Sequence, residues 1–364
     1  MKVKTRIDQQ DLFFLLLQTQ IGAGILSMPY SLYMAAKNDG WISLLLAAAA
    51  IFSLIYFYWL LCRRFPHQTL FDFSGKVFGK WGGALINLGY ICYFVSTALL
   101  VYLNFADIIG RWVLLDTPRW LLILLLMFIA VSACSGSFSS IVSLFSFTSV
   151  FIVFLFILSL FIFKEPEIDY RYMFPVASQG VLPILRGAKE AVYGFLGVET
   201  ALFFLAFVRE PEKKGAVKGA FLAQIVISVF YLYLFMASII MFSPKEIVLI
   251  PEPVLYMLKA ITFKIIERLD LVFITVWMTA AATTIISYTY LSGMGLSKLL
   301  KIKHRRAVLA ATGIIFILTF IPQGEMEITS IGRAVSFAGL IFSSALPLVL
   351  YIAAAFLKKG GAGL

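Results

Sequence analysis

The groups with most chemistry to offer in this chain are main-chain N–H and C=O groups at two glycine-rich stretches, with one acidic side chain beside them. The first stretch reads Gln20-Ile21-Gly22-Ala23-Gly24-Ile25-Leu26-Ser27-Met28-Pro29. Glycine is a poor helix-interior residue and a good C-terminal cap, and proline suits the first turn of a helix. The run predicts one half-helix ending near Gly22 and another starting near Ile25. A glycine-lined face for close helix packing is the other reading of the same residues. The second stretch reads Tyr193-Gly194-Phe195-Leu196-Gly197-Val198-Glu199-Thr200, where two glycines again interrupt an apolar run and an ionisable residue follows. A carboxyl group deep in a membrane costs about 2.5 kcal/mol or more to insert. Glu199 therefore predicts a cavity or a bonded partner rather than lipid. It is a candidate proton or polar relay, or else a structural group bonded to N–H groups exposed at the break.

Each break frees N–H and C=O groups that lipid cannot satisfy, so they must line protein or a water cavity. The N-terminus of a half-helix favours a carboxylate, and freed carbonyls favour an ammonium. A zwitterionic amino acid presents both, so the pattern points to a small, polar, amino-acid-like ligand. The remaining reactive residues do not assemble. His67 and His304 lie far apart beside basic loops, and no Ser/His, Asp/Asp or His/Glu constellation falls at membrane depth. Cys62, Cys92 and Cys134 have no metal-ligand spacing, make no disulfide framework, and are expected to be buried thiols. No enzyme activity, metal site or cofactor is expected.

The elements that must position these stretches follow from composition. The 364 residues are 61% hydrophobic and 13% charged, where a soluble domain carries about 25% charged residues. Mean hydropathy is +0.96. So much apolar surface must face lipid, and the chain is expected to be an all-α, polytopic integral membrane protein. Ten apolar runs are candidate spans: Asp11–Ala36, Gly40–Cys62, Gly82–Ile109, Trp120–Cys134, Ile141–Phe163, Val181–Val208, Val217–Phe242, Leu269–Leu299, Val308–Ile321 and Ala334–Leu357. The basic start and Leu12–Leu17 resemble a signal peptide, but no small-x-small cleavage site follows, so this run is expected to be the retained first helix. With the N-terminus inside, the inner segments hold Lys2, Lys4, Arg6, Arg63, Arg64, Lys76, Lys80, Arg209, Lys213, Lys214, Lys218, Lys298, Lys301, Lys303, Arg305, Arg306, Lys358 and Lys359. The outer loops are balanced by acids including Asp39, Asp116, Glu165, Glu167, Asp169, Glu252, Glu267 and Glu325. Both termini are thus expected to be cytoplasmic. The net charge of +11 has the same origin, and its division among separated segments argues against a nucleic-acid partner.

The breaks fall in spans one and six, the first members of two five-helix sets. Paired interrupted helices at matching places point to an inverted-repeat transporter fold with a midplane site. At these residues the sequence resembles the permease-like B subunits of spore germinant receptors, within the amino acid–polyamine–organocation superfamily, over essentially the whole chain. The resemblance is carried by Gly22-Ala23-Gly24-Ile25-Leu26 with Pro29, Asp39-Gly40-Trp41-Ile42, and Phe195-Leu196-Gly197-Val198-Glu199. Val276-Trp277 with Thr283-Thr284, then Gly295-Leu296-Ser297-Lys298, add to it.

The resemblance implies a LeuT-type 5+5 inverted repeat with helices one and six broken. It implies a single transmembrane permease-like domain over 1–364, with helices one to five at about 11–163 and six to ten at about 181–357. A nutrient germinant, often an L-amino acid, would bind at Gly22, Ala23, Gly24, Leu196 and Gly197, with Thr97 of helix three and Thr283 and Thr284 of helix eight. The glycine backbone would ligate the zwitterion, Leu196 and Thr97 would sieve its side chain, and Thr284 would offer a hydroxyl. The implied partners are a larger membrane A subunit and a lipoprotein C subunit in the spore inner membrane, of bacterial cytoplasmic-membrane origin. The alternative is an amino acid permease coupled to H⁺ or Na⁺. Two threonine hydroxyls do not make a site for a hard cation, and helix five carries no Lys to stand in for one.

Overall fold

The computed structural model describes residues 6–164, 168–177, 180–209, 213–261, 268–322 and 324–356. Main-chain groups in lipid must bond within their own segment, and the described apolar runs are helical. The first run splits into Gln9–Gly24 (α1) and Met28–Ala36 (α2), and Gly40–Arg64 (α3) follows. Next come Leu70–Trp112 (α4), Arg119–Ser135 (α5) and Phe138–Ser159 (α6). The sixth run splits into Val181–Gly194 (α7) and a short helix of mixed pitch, Val198–Phe207 (α8), bent 51° away from it. Lys213–Met241 (α9), Pro253–Ala260 (α10), Leu269–Leu300 (α11), His304–Leu318 (α12), Glu325–Leu340 (α13) and Leu346–Phe356 (α14) complete the order. Among the described residues six helical segments are long and apolar enough to cross a membrane, and the bent α7–α8 pair makes a seventh. α5 is apolar but shorter. The chain is a multi-pass membrane protein.

Local chemistry explains several boundaries. Thr69 caps α4: its N–H and its hydroxyl both donate to Asp72 Oδ2, at 3.0 and 2.6 Å. The helix therefore starts well before the predicted third span, and Gly79, at φ +75°, separates this polar first part from the apolar remainder. Between α13 and α14 the helix widens to π pitch over Ile341–Ala345. Carbonyls left over at such a widening need other donors inside a membrane. Tyr58 of α3 donates to Ser343 O, and Tyr90 of α4 donates to Phe342 O at 2.8 Å.

The start of α4 and the end of α11 lie together through Asp72 and Lys298, and the segment before α1 pairs with the end of α8. Ile7 pairs with Val208 as an isolated parallel bridge. Its N–H donates to Phe207 O at 3.0 Å, and its carbonyl accepts from Arg209 N at 3.1 Å. Asp8 and Arg209 add an exposed ion pair at 3.1 Å, and Asp72 pairs with Lys298 across from α4 to α11. Exposed pairs are worth at most about 1 kcal/mol each, so burial of Ile7 and Val208 is the larger contribution to this closure. Lys2, Lys4, Glu165, Glu167, Glu267, Leu357, Lys358 and Lys359, on which part of the orientation and span reading rests, lie outside the described residues.

One expectation needs correction. Cys134 is buried and Cys62 half-buried, but Cys92 is exposed. Lipid tails are as apolar as a protein core, so an apolar side chain in a span has no preference for the inside.

Candidate functional site

The two breaks meet. α1 ends at Gly24 and α7 at Gly194, and a Cβ built on Gly24 would sit 3.4 Å from Gly194 O and 3.6 Å from its Cα. Residues 25–27 link α1 to α2, three residues later than the predicted break at Gly22. The helix runs on through Gly22 because α9 and α11 supply donors to its last turns. Trp277 Nε1 donates to Gly22 O at 2.7 Å, and Tyr231 OH donates to Gln20 O at 2.8 Å. Thr284 Oγ1 lies within 3.2 Å of the carbonyls of Gln18, Thr19 and Ala280.

Beside this meeting point lies a cavity of about 210 Å³. Pockets for drug-sized molecules run from about 300 to 1,000 Å³, so the space suits something smaller. Thr19, Gln20 and Gly24 come to it from α1, Ser27, Met28 and Ser31 from the link and α2, and Thr97, Leu100, Val101 and Asn104 from α4. Glu190, Tyr193, Gly194 and Leu196 come from α7 and its end, Thr284 and Tyr288 from α11, and Val335 and Ser336 from α13. The lining contains one carboxyl, Glu190, and no Lys or Arg.

The helix ends around the cavity set its field. α1 and α7 both turn their C-termini to the meeting point, which favours a cation, and α2 turns its N-terminus there, which favours an anion. α8 would add a second N-terminus, but the protein's own carboxyl already occupies it. Glu199 Oε2 accepts from Gly197 N at 2.8 Å, and Oε1 accepts from Tyr93 OH at 2.9 Å and Tyr288 OH at 2.8 Å. Glu199 is fully buried, does not line the cavity, and ties α4, α8 and α11 together at the break. Tyr288 does line it, so one hydroxyl connects the cavity wall to the buried carboxyl.

Of the residues singled out in the sequence, Gly24, Thr97, Leu196 and Thr284 line the cavity. Gly22, Gly197, Thr283 and Glu199 do not. A Cβ on Gly22 would fall 2.6 Å from Thr284 Cβ and 2.9 Å from Ala280 O, so Gly22 is where α1 touches α11. Its carbonyl is taken by Trp277, and the Gly197 N–H is taken by Glu199, so neither has that group free for a ligand. Gly197 holds φ +114°, a left-handed conformation that glycine adopts without strain. Thr283 donates toward Gln18 Oε1 at 2.8 Å and Ala280 O at 2.9 Å, and Gln18 Nε2 reaches Ser149 Oγ at 3.2 Å, a bridge from α11 through α1 to α6. The Ala23 side chain lies outside the described residues.

The proton on the Thr284 hydroxyl points to main-chain carbonyls and the Thr97 proton to Tyr93 O at 2.9 Å, so both offer a ligand lone pairs rather than protons. Gln20, Glu190 and Tyr288 line the cavity without having been predicted to. The first two carried a signal, since polar and ionisable residues within spans are functional flags by default. Tyr288 carried none, being one of 16 tyrosines. Among the described residues no three His, Cys, Asp or Glu side chains gather as metal ligands.

Comparison with known proteins agrees with this architecture. A family model described as spore germination protein matches residues 6–328. Spore germination protein YndE of Bacillus subtilis is 27% identical over 95% of both chains. Spore germination protein GerQB of Bacillus cereus is 23% identical over 93% of both, and spore germination protein A2 of B. subtilis is 25% identical over 94% of this chain and 93% of that one. Among solved structures, the nucleobase–cation-symport-1 family transporter Mhp1, closed with bromovinylhydantoin bound, superposes at a TM-score of 0.72 with 11% identity, over 100% of this chain and 81% of Mhp1. MhsT in complex with L-phenylalanine superposes at 0.64 with 14% identity, over 98% and 97%. These likenesses give a LeuT-type transporter fold, and none of the relatives is an enzyme. The chain belongs to the spore permease family of spore germination proteins.

Proposed function

We propose that this chain is the nutrient-sensing, permease-like B subunit of a spore germinant receptor, and that it binds a small zwitterion, an L-amino acid, in the cavity where α1 and α7 end. In this reading the chain is one permease-like domain of ten spans in a 5+5 inverted repeat, helices 11–163 and 181–357, with both termini cytoplasmic. It lies in the spore inner membrane beside a larger membrane A subunit and a lipoprotein C subunit. The observation that carries it is the meeting of Gly24 and Gly194 beside a space of about 210 Å³. Two helix C-termini there suit an ammonium, and the α2 N-terminus suits a carboxylate. Gly24, Thr97, Leu196 and Thr284 form the wall, with Gly22, Ala23, Gly197 and Thr283 behind it. Glu199, reached through Tyr288, relays occupancy to α4 and α8.

Sensing requires that the ligand favour one arrangement of these helices over another by a difference in affinity. The second reading, a permease coupled to H⁺ or Na⁺, draws on the fold shared with the transporter Mhp1. Purified chain in liposomes separates the two. Saturable binding of a radiolabelled L-amino acid without concentrative uptake, under either an inward Na⁺ or an inward H⁺ gradient, is expected of the sensor. Concentrative uptake by the chain alone would move the assignment to the permease.

A further inference from the structure

Gln20 is a buried polar part of the cavity wall that the fold itself leaves unused. Its side chain is 2% exposed, and neither Oε1 nor Nε2 has a hydrogen-bond partner among the described residues. A buried amide with neither group paired is costly, and natural structures retain few such groups. Among the described residues, Gln20 is the buried side chain with orphan polar atoms that lines this cavity.

Its stem is well held. Tyr231 fixes the Gln20 carbonyl from α9. A Cβ on Gly197 would fall 2.9 Å from Gln20 Cγ and 3.2 Å from Thr19 O, so the glycine of the second break makes the seat for the side chain of the first. The buried hydroxyls of the wall are committed elsewhere. Thr19 donates to Leu15 O at 2.6 Å, Thr97 to Tyr93 O, Tyr288 to Glu199, and Thr284 to carbonyls of its own helix and α1. A positioned stem with an unspent head is the arrangement of a preorganised ligand contact.

We infer that Gln20 is the specificity-determining contact of this cavity, its amide N–H donating to the carboxylate of an α-amino acid while its carbonyl accepts from the ammonium. The assignment rests on the amino-acid reading of the site and sharpens it. It accounts for an uncharged residue reading a zwitterion: one amide supplies a donor and an acceptor side by side and adds no net charge, whereas Glu or Lys at this place would repel one half of the ligand.

Two substitutions test it on the purified full-length chain. The probes are whichever of the twenty L-amino acids binds the wild type tightest, and the C-terminal carboxamide of that amino acid. Gln20→Leu keeps the volume and removes both polar groups. It should weaken amino-acid binding by about 10- to 100-fold, the usual range for a lost buried polar contact. It should also raise the melting temperature of the unliganded protein, because it removes an unpaired buried amide. Gln20→Glu keeps an acceptor for the ammonium and sets an oxygen against the ligand carboxylate. It should move the preference toward the carboxamide by at least tenfold. A wild type that binds none of the twenty overturns the amino-acid reading and this assignment with it. If the wild type binds, a Gln20→Leu protein with unchanged affinity, or an unchanged amino-acid-to-carboxamide ratio in Gln20→Glu, overturns the assignment alone. A lower melting temperature in unliganded Gln20→Leu also overturns it, by showing the amide to be structural.

Discussion

Glu199→Ala is expected to leave little folded protein. Its carboxyl is the acceptor for two tyrosine hydroxyls and one main-chain N–H, all buried. Each buried donor left without a partner costs about 1–3 kcal/mol, and three together approach the ~5–15 kcal/mol that holds an average protein folded. The substitution also uncaps α8 and removes the tie between α4 and α11. Glu199→Gln keeps one good acceptor but turns an N–H toward donors, so it should be intermediate. Tyr93→Phe and Tyr288→Phe each remove one donor and leave the carboxyl bonded twice, so they should be mildest. The order of thermal stability in detergent is expected to be wild type, then either phenylalanine variant, then Glu199→Gln, then Glu199→Ala. A Glu199→Gln protein that melts with the wild type yet fails to respond to ligand would leave Glu199 its relay role and remove its role as a brace. Equal stability and response in both would leave Tyr93, Tyr288 and Gly197 without the need for a carboxyl between them.

Gly22→Ala and Gly24→Ala should part company although only one residue separates them. Alanine is the better helix former by about 1 kcal/mol, which would favour both changes in an isolated helix. At Gly22 the new methyl group would run first into Thr284 Oγ1, and would lie 2.6 Å from Thr284 Cβ and 2.9 Å from Ala280 O. A carbonyl of a packed helix does not move aside cheaply, and overpacking costs about 1–3 kcal/mol, occasionally more. At Gly24 the nearest atom would be 3.4 Å away, an ordinary contact. Gly22→Ala is therefore expected to lower the melting temperature by several degrees, with Gly24→Ala close to the wild type. Thr284→Ala, which removes the nearest atom, Oγ1, should recover part of the Gly22→Ala loss, and Thr284→Gly, which removes the Cβ as well, should recover more. Similar melting temperatures for the two alanine variants would contradict the approach of α1 to α11 at Gly22.

The contrast between these neighbours shows how far the sequence could be read. Composition and hydropathy placed the chain in a membrane, and the glycine clusters located both breaks to within a few residues. The clusters could not assign each glycine its task. Gly22 serves packing, Gly24 and Gly194 the meeting of helix ends, and Gly197 a left-handed turn and the seat of Gln20. Those roles depend on which helix crosses which, and no periodicity within one segment encodes that. The break in the first run comes late because Trp277 and Tyr231, more than 200 residues away in the chain, satisfy its carbonyls. Glu199 stood out as a carboxyl in an apolar run, but its partners Tyr93 and Tyr288 did not. The sequence offered Glu199 either as a relay or as a structural group bonded to N–H groups exposed at the break, and the Gly197 N–H donates to it.

The central claim is that a small ligand occupies the space where α1 and α7 end. Thr97 lines that space from α4, and its hydroxyl donates within its own helix, to Tyr93 O. Replacing it with phenylalanine fills the cavity with little loss elsewhere. Calorimetric titration of the purified chain with each L-amino acid should find at least one that binds the wild type in a one-to-one ratio. Thr97→Phe should abolish that heat while melting within a few degrees of the wild type. An amino acid that binds both proteins with the same affinity would put its site elsewhere and contradict the account.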